Sequence, residues 1–263
     1  MKLFAVRALI EFHWGYSIRR PIFSASQPAL LVPPPTTLLG ALTMASLNSE
    51  PEVSILGGKL CSSSARIVDD VPWAALALID ERFVTPLGLI EVRDLSRAMI
   101  APYLRRAHVY KGSPQLFGVQ PHGRIYAPSM RVHVLFITKK EGLAEWVFAI
   151  RRVGSKESIA SAIDLRVRET VIEDPSDNVK TRYYFPARLC EKISGKYIRD
   201  SLSVPKKENY SLGAVYDLSK IWEEFIIPLE EVNVQPTQEA AILRDPDGEP
   251  VLVPREVLKT DQR

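Results

Sequence analysis

From Leu3 to Trp14 apolar and polar positions alternate. Phe4, Val6, Ala8, Ile10, Phe12 and Trp14 share one side of an extended chain; Arg7, Glu11 and His13 lie on the other with Leu3, Ala5 and Leu9. A period of two predicts a long strand with an apolar face and a more polar one. Met130–Thr138 repeats the pattern, with Met130, Val132, Val134 and Phe136 opposite Arg131, His133, Leu135 and Ile137. A third alternation sets Ile163, Leu165 and Val167 against Asp164, Arg166 and Arg168. Trp73–Ile79 and Phe83–Val92 read as further strands, the latter interrupted by Pro86 and Gly88. For residues 51–72 the pattern gives a short helix or turn to Gly57-Gly58, then a strand near 61–68.

Helical spacing is clearest after Pro33-Pro34-Pro35, where Leu38, Leu39, Leu42 and Ala45 predict a helix over 35–47. Proline's fixed φ suits a first helical turn and nothing later. This helix start offers unpaired N–H groups and the hydroxyls of Thr36 and Thr37, an arrangement that suits a phosphate, although an ordinary buried helix accounts for the same residues. Gly40 is read as the place where a neighbouring element comes close to the backbone. A second helix is expected over 141–153, with Leu143, Trp146, Val147, Ile150 and Val153 on one side, Arg151 and Arg152 at its C-terminal end and Gly154 just beyond it.

The first 172 residues therefore read strand, helix, strands, a basic excursion, strand, helix, strand. That is the order of an α+β, ferredoxin-like (RRM-like) βαββαβ domain with a thumb-like insertion between its second and third strands. The first and third strands would be central neighbours, with helices over one face. Arg7, His13, Arg131 and His133 would occupy the uncovered face, where RNA-recognition sheets carry aromatics, so base stacking on this sheet is not expected. Residues 173–263 read as a small β-rich region, with strands at 181–185 and 196–203 and a short helix or strand at 219–227. A hairpin turning at Asp245-Pro246-Asp247-Gly248 closes it.

Composition narrows the function. The 263 residues are 46% apolar and 25% charged, enough for a sizeable core, and no run reaches membrane-spanning length. The N-terminus lacks the pattern of a signal peptide, so a cytoplasmic protein with no membrane partner is expected. Two cysteines, Cys61 and Cys190, and four scattered histidines form no metal-ligand spacing, so no cofactor or metal is expected. Twenty prolines against 13 glycines lean toward a heat-loving source.

The net charge of +3 is modest, but its distribution is not. Between Arg93 and Arg131, Arg93, Arg97, Arg105, Arg106, Lys111, Arg124 and Arg131 stand against one acid, Asp94, with His108 and His122 added. Tyr103, Tyr110, Phe117 and Tyr126 are interleaved, and seven Pro and Gly residues break up regular structure. Cations interleaved with rings suit a nucleic-acid backbone and its bases.

A first strand ending His13-Trp14-Gly15-Tyr16-Ser17, the passage SASQPALLVPPPTTLLGAL and the basic excursion together resemble the Cas-five family of CRISPR-associated proteins, within the RAMP superfamily. The archaeal type I-A branch is the best match. The resemblance implies a subunit that caps one end of a Cascade complex and holds the 5′ handle of the CRISPR RNA. Its thumb, here about 94–130, would pack against a Cas-seven backbone subunit and the guide. The large subunit would be a further partner, and target DNA an indirect one. The family has no residue motif that fixes the RNA contacts, so they are chosen by charge within the implied regions: Arg19, Arg20, Thr36, Thr37, Arg105, Arg106, His108, Lys111, His122, Arg124, Arg131 and Lys156.

One branch of the family resembles a metal-independent endoribonuclease that cuts the CRISPR repeat, a reaction needing a base, an acid and a cation at the phosphorane. His108, His122, Lys111 and Tyr110 are the residues available for it. The same residues serve a binding thumb, and no catalytic set is expected. The turn Gly154-Ser155-Lys156-Glu157-Ser158 is too short for a nucleotide-binding loop and reads as a helix end, with Lys156 a candidate RNA contact.

Replacing Arg105, Arg106 and Lys111 together by Ala is expected to weaken binding of handle RNA and to lower the slope of log K against log salt by about 2. Titrations across a salt series measure both, and an unchanged slope refutes phosphate contact by this segment.

Overall fold

A computed structural model describes residues 2–18, 28–46, 53–56, 58–78, 90–97, 120–155, 158–175, 178–211 and 221–258, with backbone alone at 53, 54, 56, 59, 90–97 and 120–122. The fold is mixed α/β and rich in strands. The first alternation forms β1 (Leu3–Phe12), which pairs antiparallel on one side with β8 (Met130–Thr138) and on the other with β9 (Ala160–Thr170). β5 (Trp73–Ala77) completes a four-stranded sheet of order β5-β8-β1-β9, antiparallel throughout. The two clearest strands of the sequence are thus central neighbours.

The proline triplet leads into α1 (Pro35–Ser46), whose Leu38, Leu39 and Leu42 are fully buried. The helix expected over 141–153 is shorter: α3 spans Leu143–Phe148. Beyond it the chain extends and turns back, with the Val153 amide bonding the Ser158 carbonyl and the Ala160 amide bonding the Arg151 carbonyl. Ile150 and Val153 are buried in this turn as they would have been in a helix, so apolar spacing could not tell the two apart. Gly154 is accordingly not a helix end. Residues 51–72 also differ from expectation. They form a hairpin, β3 (Val53–Leu56) and β4 (Lys59–Ser62), then a single helical turn, α2 (Ser64–Ile67).

The basic excursion leaves the sheet on two strands. β6 (Ile90–Arg97) pairs antiparallel with β7 (Gln120–Tyr126), and β7 also pairs with the two-residue β2 (Gly15–Tyr16). The strand expected at 83–92 lies outside the described residues as far as 89.

The described part of the C-terminal third is mostly strand, with short helical turns at Ala187–Leu189, Lys207–Tyr210 and Arg255–Leu258: β10 (Val179–Thr181), β11 (Phe185–Pro186), β12 (Cys190–Ser194), β13 (Tyr197–Ser203), β14 (Trp222–Pro228), β15 (Val232–Pro236), and the hairpin β16 (Ala240–Arg244) and β17 (Pro250–Pro254). The hairpin turns at Asp245–Gly248, as the sequence predicts. One continuous core joins this region to the sheet. Phe225 stacks on Trp73 at 6.2 Å, and the Tyr184 amide bonds the Leu76 carbonyl on the sheet edge.

This packing covers part of the face expected to be open, while His13 at its end stays exposed beside Ser161. Arg7 and His133 point at the β16–β17 turn, not at solvent. Arg7 donates to the fully buried Asp245 carboxylate at 3.2 Å and to Asp247 at 2.6 Å. Asp245 also accepts from the Tyr183 hydroxyl at 3.0 Å and from the amides of Asp247 and Glu249. Arg131 is paired with Glu11 at 2.7 Å. β9 is an edge strand with Ile163 and Val167 exposed, not half-buried as its alternation implies.

Asp245→Ala is expected to cost about 3–5 kcal/mol in urea unfolding, because it leaves buried Arg7 with only the half-exposed Asp247 and strands the Tyr183 hydroxyl and two turn amides without their acceptor. Asp247→Ala, whose carboxylate is 44% exposed, should cost under about 1 kcal/mol. Burial first, and then the neighbouring Arg7 charge, hold the His133 imidazole below its ordinary 6.5. The unfolded chain therefore binds the proton more readily, so this contribution to stability is full above pH 6.5 and declines as pH falls below it. Unfolding midpoints measured across that range should show the decline in the native protein and a flatter profile in His133→Gln.

Candidate nucleic-acid interface

Three segments converge where β2 meets β7. The Ser17 hydroxyl donates to the Gly123 carbonyl at 3.1 Å, the Ser17 amide donates to the Ser158 hydroxyl at 2.9 Å, and the Ser155 amide donates to the Ser17 carbonyl at 3.1 Å. The Leu30 amide closes on the Ile18 carbonyl at 2.7 Å. Two glycines make this convergence possible. A Cβ on Gly123 would lie 2.3 Å from the Ala29 nitrogen, and one on Gly154, which sits at φ +107°, would lie 2.9 Å from Ile18 Cγ1.

Beside this knot lies a cavity of about 460 Å³. One wall is the face of α1 bearing Thr37, Gly40, Ala41, Thr43 and Met44; the others are Ser17–Ile18, the run Ser62–Ser64, and Arg152 with Gly154–Ser155. Nothing lies within 4 Å of where a Cβ on Gly40 would be, so this glycine is not a point of close helix packing, as its sequence position suggests, but open wall. Arg152 is exposed, with no side-chain partner among the described residues. The Thr43 hydroxyl bonds back to the Leu39 carbonyl, while the Thr37 hydroxyl has no partner among the described residues. Hydroxyls, glycines and one open guanidinium make a wall that can donate to phosphate and ribose oxygens without bulk. Among the described residues no group of three His, Cys, Asp or Glu could hold a metal.

The residues expected to contact RNA fall into four sets. Thr37 lines the cavity. Arg124 is half-buried on β7, and the backbone of His122 on the same strand pairs with Asp94. Thr36 and Arg131 are engaged by the protein itself, Thr36 through a hydrogen bond with the Ser203 hydroxyl and Arg131 with Glu11. Moreover, the helix start at Pro33 accepts the Tyr184 hydroxyl, so α1 begins against protein. Arg19, Arg20, Arg105, Arg106, His108, Lys111 and Lys156 lie outside the described residues. In the chain, Arg19 follows cavity-lining Ile18, and Lys156 follows cavity-lining Ser155. Sequence reasoning passed over Ser17, Ser62–Ser64 and Arg152. The triple serine was the available signal, and Arg152 was masked by its expected place at a helix end.

No protein-family model matches the chain. A relative from Saccharolobus solfataricus, CRISPR system aCascade subunit Cas5 1, is 31% identical over 193 residues, covering 72% of this chain and 74% of its own. The chain belongs to the Cas5 family. A second Cas5 protein of that organism, CRISPR-associated protein Cas5 3, is 30% identical over the same share of this chain. The crystal structure of a CRISPR protein from Archaeoglobus fulgidus superposes with a TM-score of 0.60 at 19% identity, covering 97% of this chain and all of that one, so the two share a fold that extends through the C-terminal third. The family expected from the first strand and the proline-led helix is the one found.

Proposed function

We propose that this Cas5 protein is a non-catalytic CRISPR RNA-binding subunit that holds the 5′ handle and caps the backbone of a type I-A Cascade complex in antiviral defence. The observation that carries the proposal is the hydroxyl-lined cavity with Arg152 at its wall, set at the root of the basic arm. The similarity to a protein named as an aCascade subunit supports the type of complex. The antiparallel order β5-β8-β1-β9, with one helix after β1 and one after β8, supports a ferredoxin-like βαββαβ core of the RAMP kind. In this reading phosphates of the handle sit against Arg152, Thr37 and the serines, and the arm of 94–130 reaches toward the Cas-seven subunit and the guide. Sequence search is then left to base pairing by the guide.

The reaction alternative, metal-independent cleavage of the repeat, draws on His108, Tyr110, Lys111 and His122, whose side chains lie outside the described residues.

Two substitutions test the cavity. Gly40→Leu fills it from an open position on the helix, and Arg152→Ala removes its cation. Each should weaken binding of repeat-derived RNA, Arg152→Ala by about ten-fold, while thermal stability holds. Gly40→Ala serves as control and should raise stability by about 0.5–1 kcal/mol with RNA binding little changed. Native affinity in both cavity variants refutes this seat. Repeat RNA incubated without metal should remain intact; specific cleavage abolished by His122→Ala or His108→Ala would establish the nuclease instead.

A further inference from the structure

Two large rings stand in solvent where the arm joins the sheet. Trp14 is 64% exposed and Tyr126 45% exposed, and their rings stack at 6.5 Å between centroids and 26° between planes. Neither is placed by chance of a loose loop. The Trp14 carbonyl accepts the Ala127 amide at 3.1 Å, the His13 carbonyl accepts the Ser129 amide at 3.2 Å, and Gly15 pairs with Tyr126 in the ladder. A Cβ on Gly15, which sits at φ +116°, would lie 1.9 Å from the Ile125 carbonyl oxygen. Only glycine allows β1 to turn the corner into β2 this close to β7, and that corner presents the indole outward beside the Tyr126 ring.

We infer that Trp14 and Tyr126 form a stacking platform for a base of single-stranded RNA. The inference rests on the RNA-binding reading above and adds a base contact to it. Charge complementarity selects the occupant. Tyr126 lies within the stretch 93–131, which carries seven Lys and Arg against one acid, and Arg124 lies two residues away on the same side of β7. A ring pair with a guanidinium beside it on a basic stretch of chain accommodates a base with its phosphates, whereas an apolar protein surface gains nothing from that charge. Trp14 and cavity-lining Ser17 are three residues apart, and so are Tyr126 and Gly123, so the platform lies about 10 Å along the paired strands from the cavity. A strand seated there by its phosphates passes the rings. The stacking absent from the sheet face is supplied at its edge.

Full-length protein is titrated with labelled oligoadenylate and with an abasic ribose-phosphate oligomer of equal length. Trp14→Ala is expected to weaken oligoadenylate binding about ten-fold while leaving abasic binding and the salt slope unchanged, and Trp14→Phe to retain most of the affinity. Trp14→Ala, at an exposed position, should melt as the native protein does. Unchanged oligoadenylate affinity in Trp14→Ala and Tyr126→Ala, alongside losses in Gly40→Leu and Arg152→Ala, overturns the platform and leaves the RNA reading standing. Loss of a co-purifying protein subunit with RNA affinity intact overturns it too. A native protein that binds neither oligomer nor repeat RNA overturns both.

Discussion

Arg7 sits in the middle of the central strand with its side chain almost wholly removed from water, and it is tolerable there because two carboxylates of one turn, Asp245 and Asp247, meet it. A carboxylate from the far end of the chain takes Arg7, Tyr183 and two amides of its own turn, so each charge is matched and each lone pair is used. Pairs of this kind add little net stability over an apolar packing, but they are unforgiving of a wrong partner. One hairpin, in one register, can close the second face of the sheet. Everything that lies against that face, from Tyr183 to Phe225, follows from this constraint.

Closing that face directs the chemistry elsewhere. With helices on one side and the C-terminal strands on the other, the sheet has no broad surface for RNA. What stays open is the rim where β2, β7 and the 154–155 turn converge, and three glycines hold the backbones there closer than any side chain would permit. Gly123 and Gly154 fix the knot beside the cavity, and Gly15 turns the corner that exposes Trp14. β6 and β7 meet at the same place, so the cavity, the rings and the start of the basic segment share one base. Holding a fixed RNA end calls for such a base more than for a reactive group.

Much of the frame was legible. The alternations of Leu3–Phe12 and Met130–Thr138, the proline-led helix and the Asp-Pro-Asp-Gly turn are local signals, and each element stands where its residues put it. The cavity was far less legible. Ser17, Ser62–Ser64 and Arg152 come from three separated stretches, none with a motif of its own. Arg152 was read as the end of a helix that stops at Phe148, and Gly40 as a packing contact that is in fact open space. Spacing of apolar residues reports which side chains are buried, not which backbone buries them.

By itself, then, the sequence determined the long strands β1 and β8, the first helix, the basic charge of residues 93–131 and the family, because these depend on neighbours within a few residues and on charges counted along the chain. The tertiary structure alone decided that Arg7 and His133 are covered by the C-terminal hairpin and that Arg152 stands at the cavity wall while Arg131 pairs with Glu11. It also decided that the rings meet at the corner of Gly15. Those outcomes depend on which distant residue arrives opposite, as Asp245 does to Arg7 and Glu11 to Arg131, and a pairing across the fold leaves no mark in the local pattern of either partner.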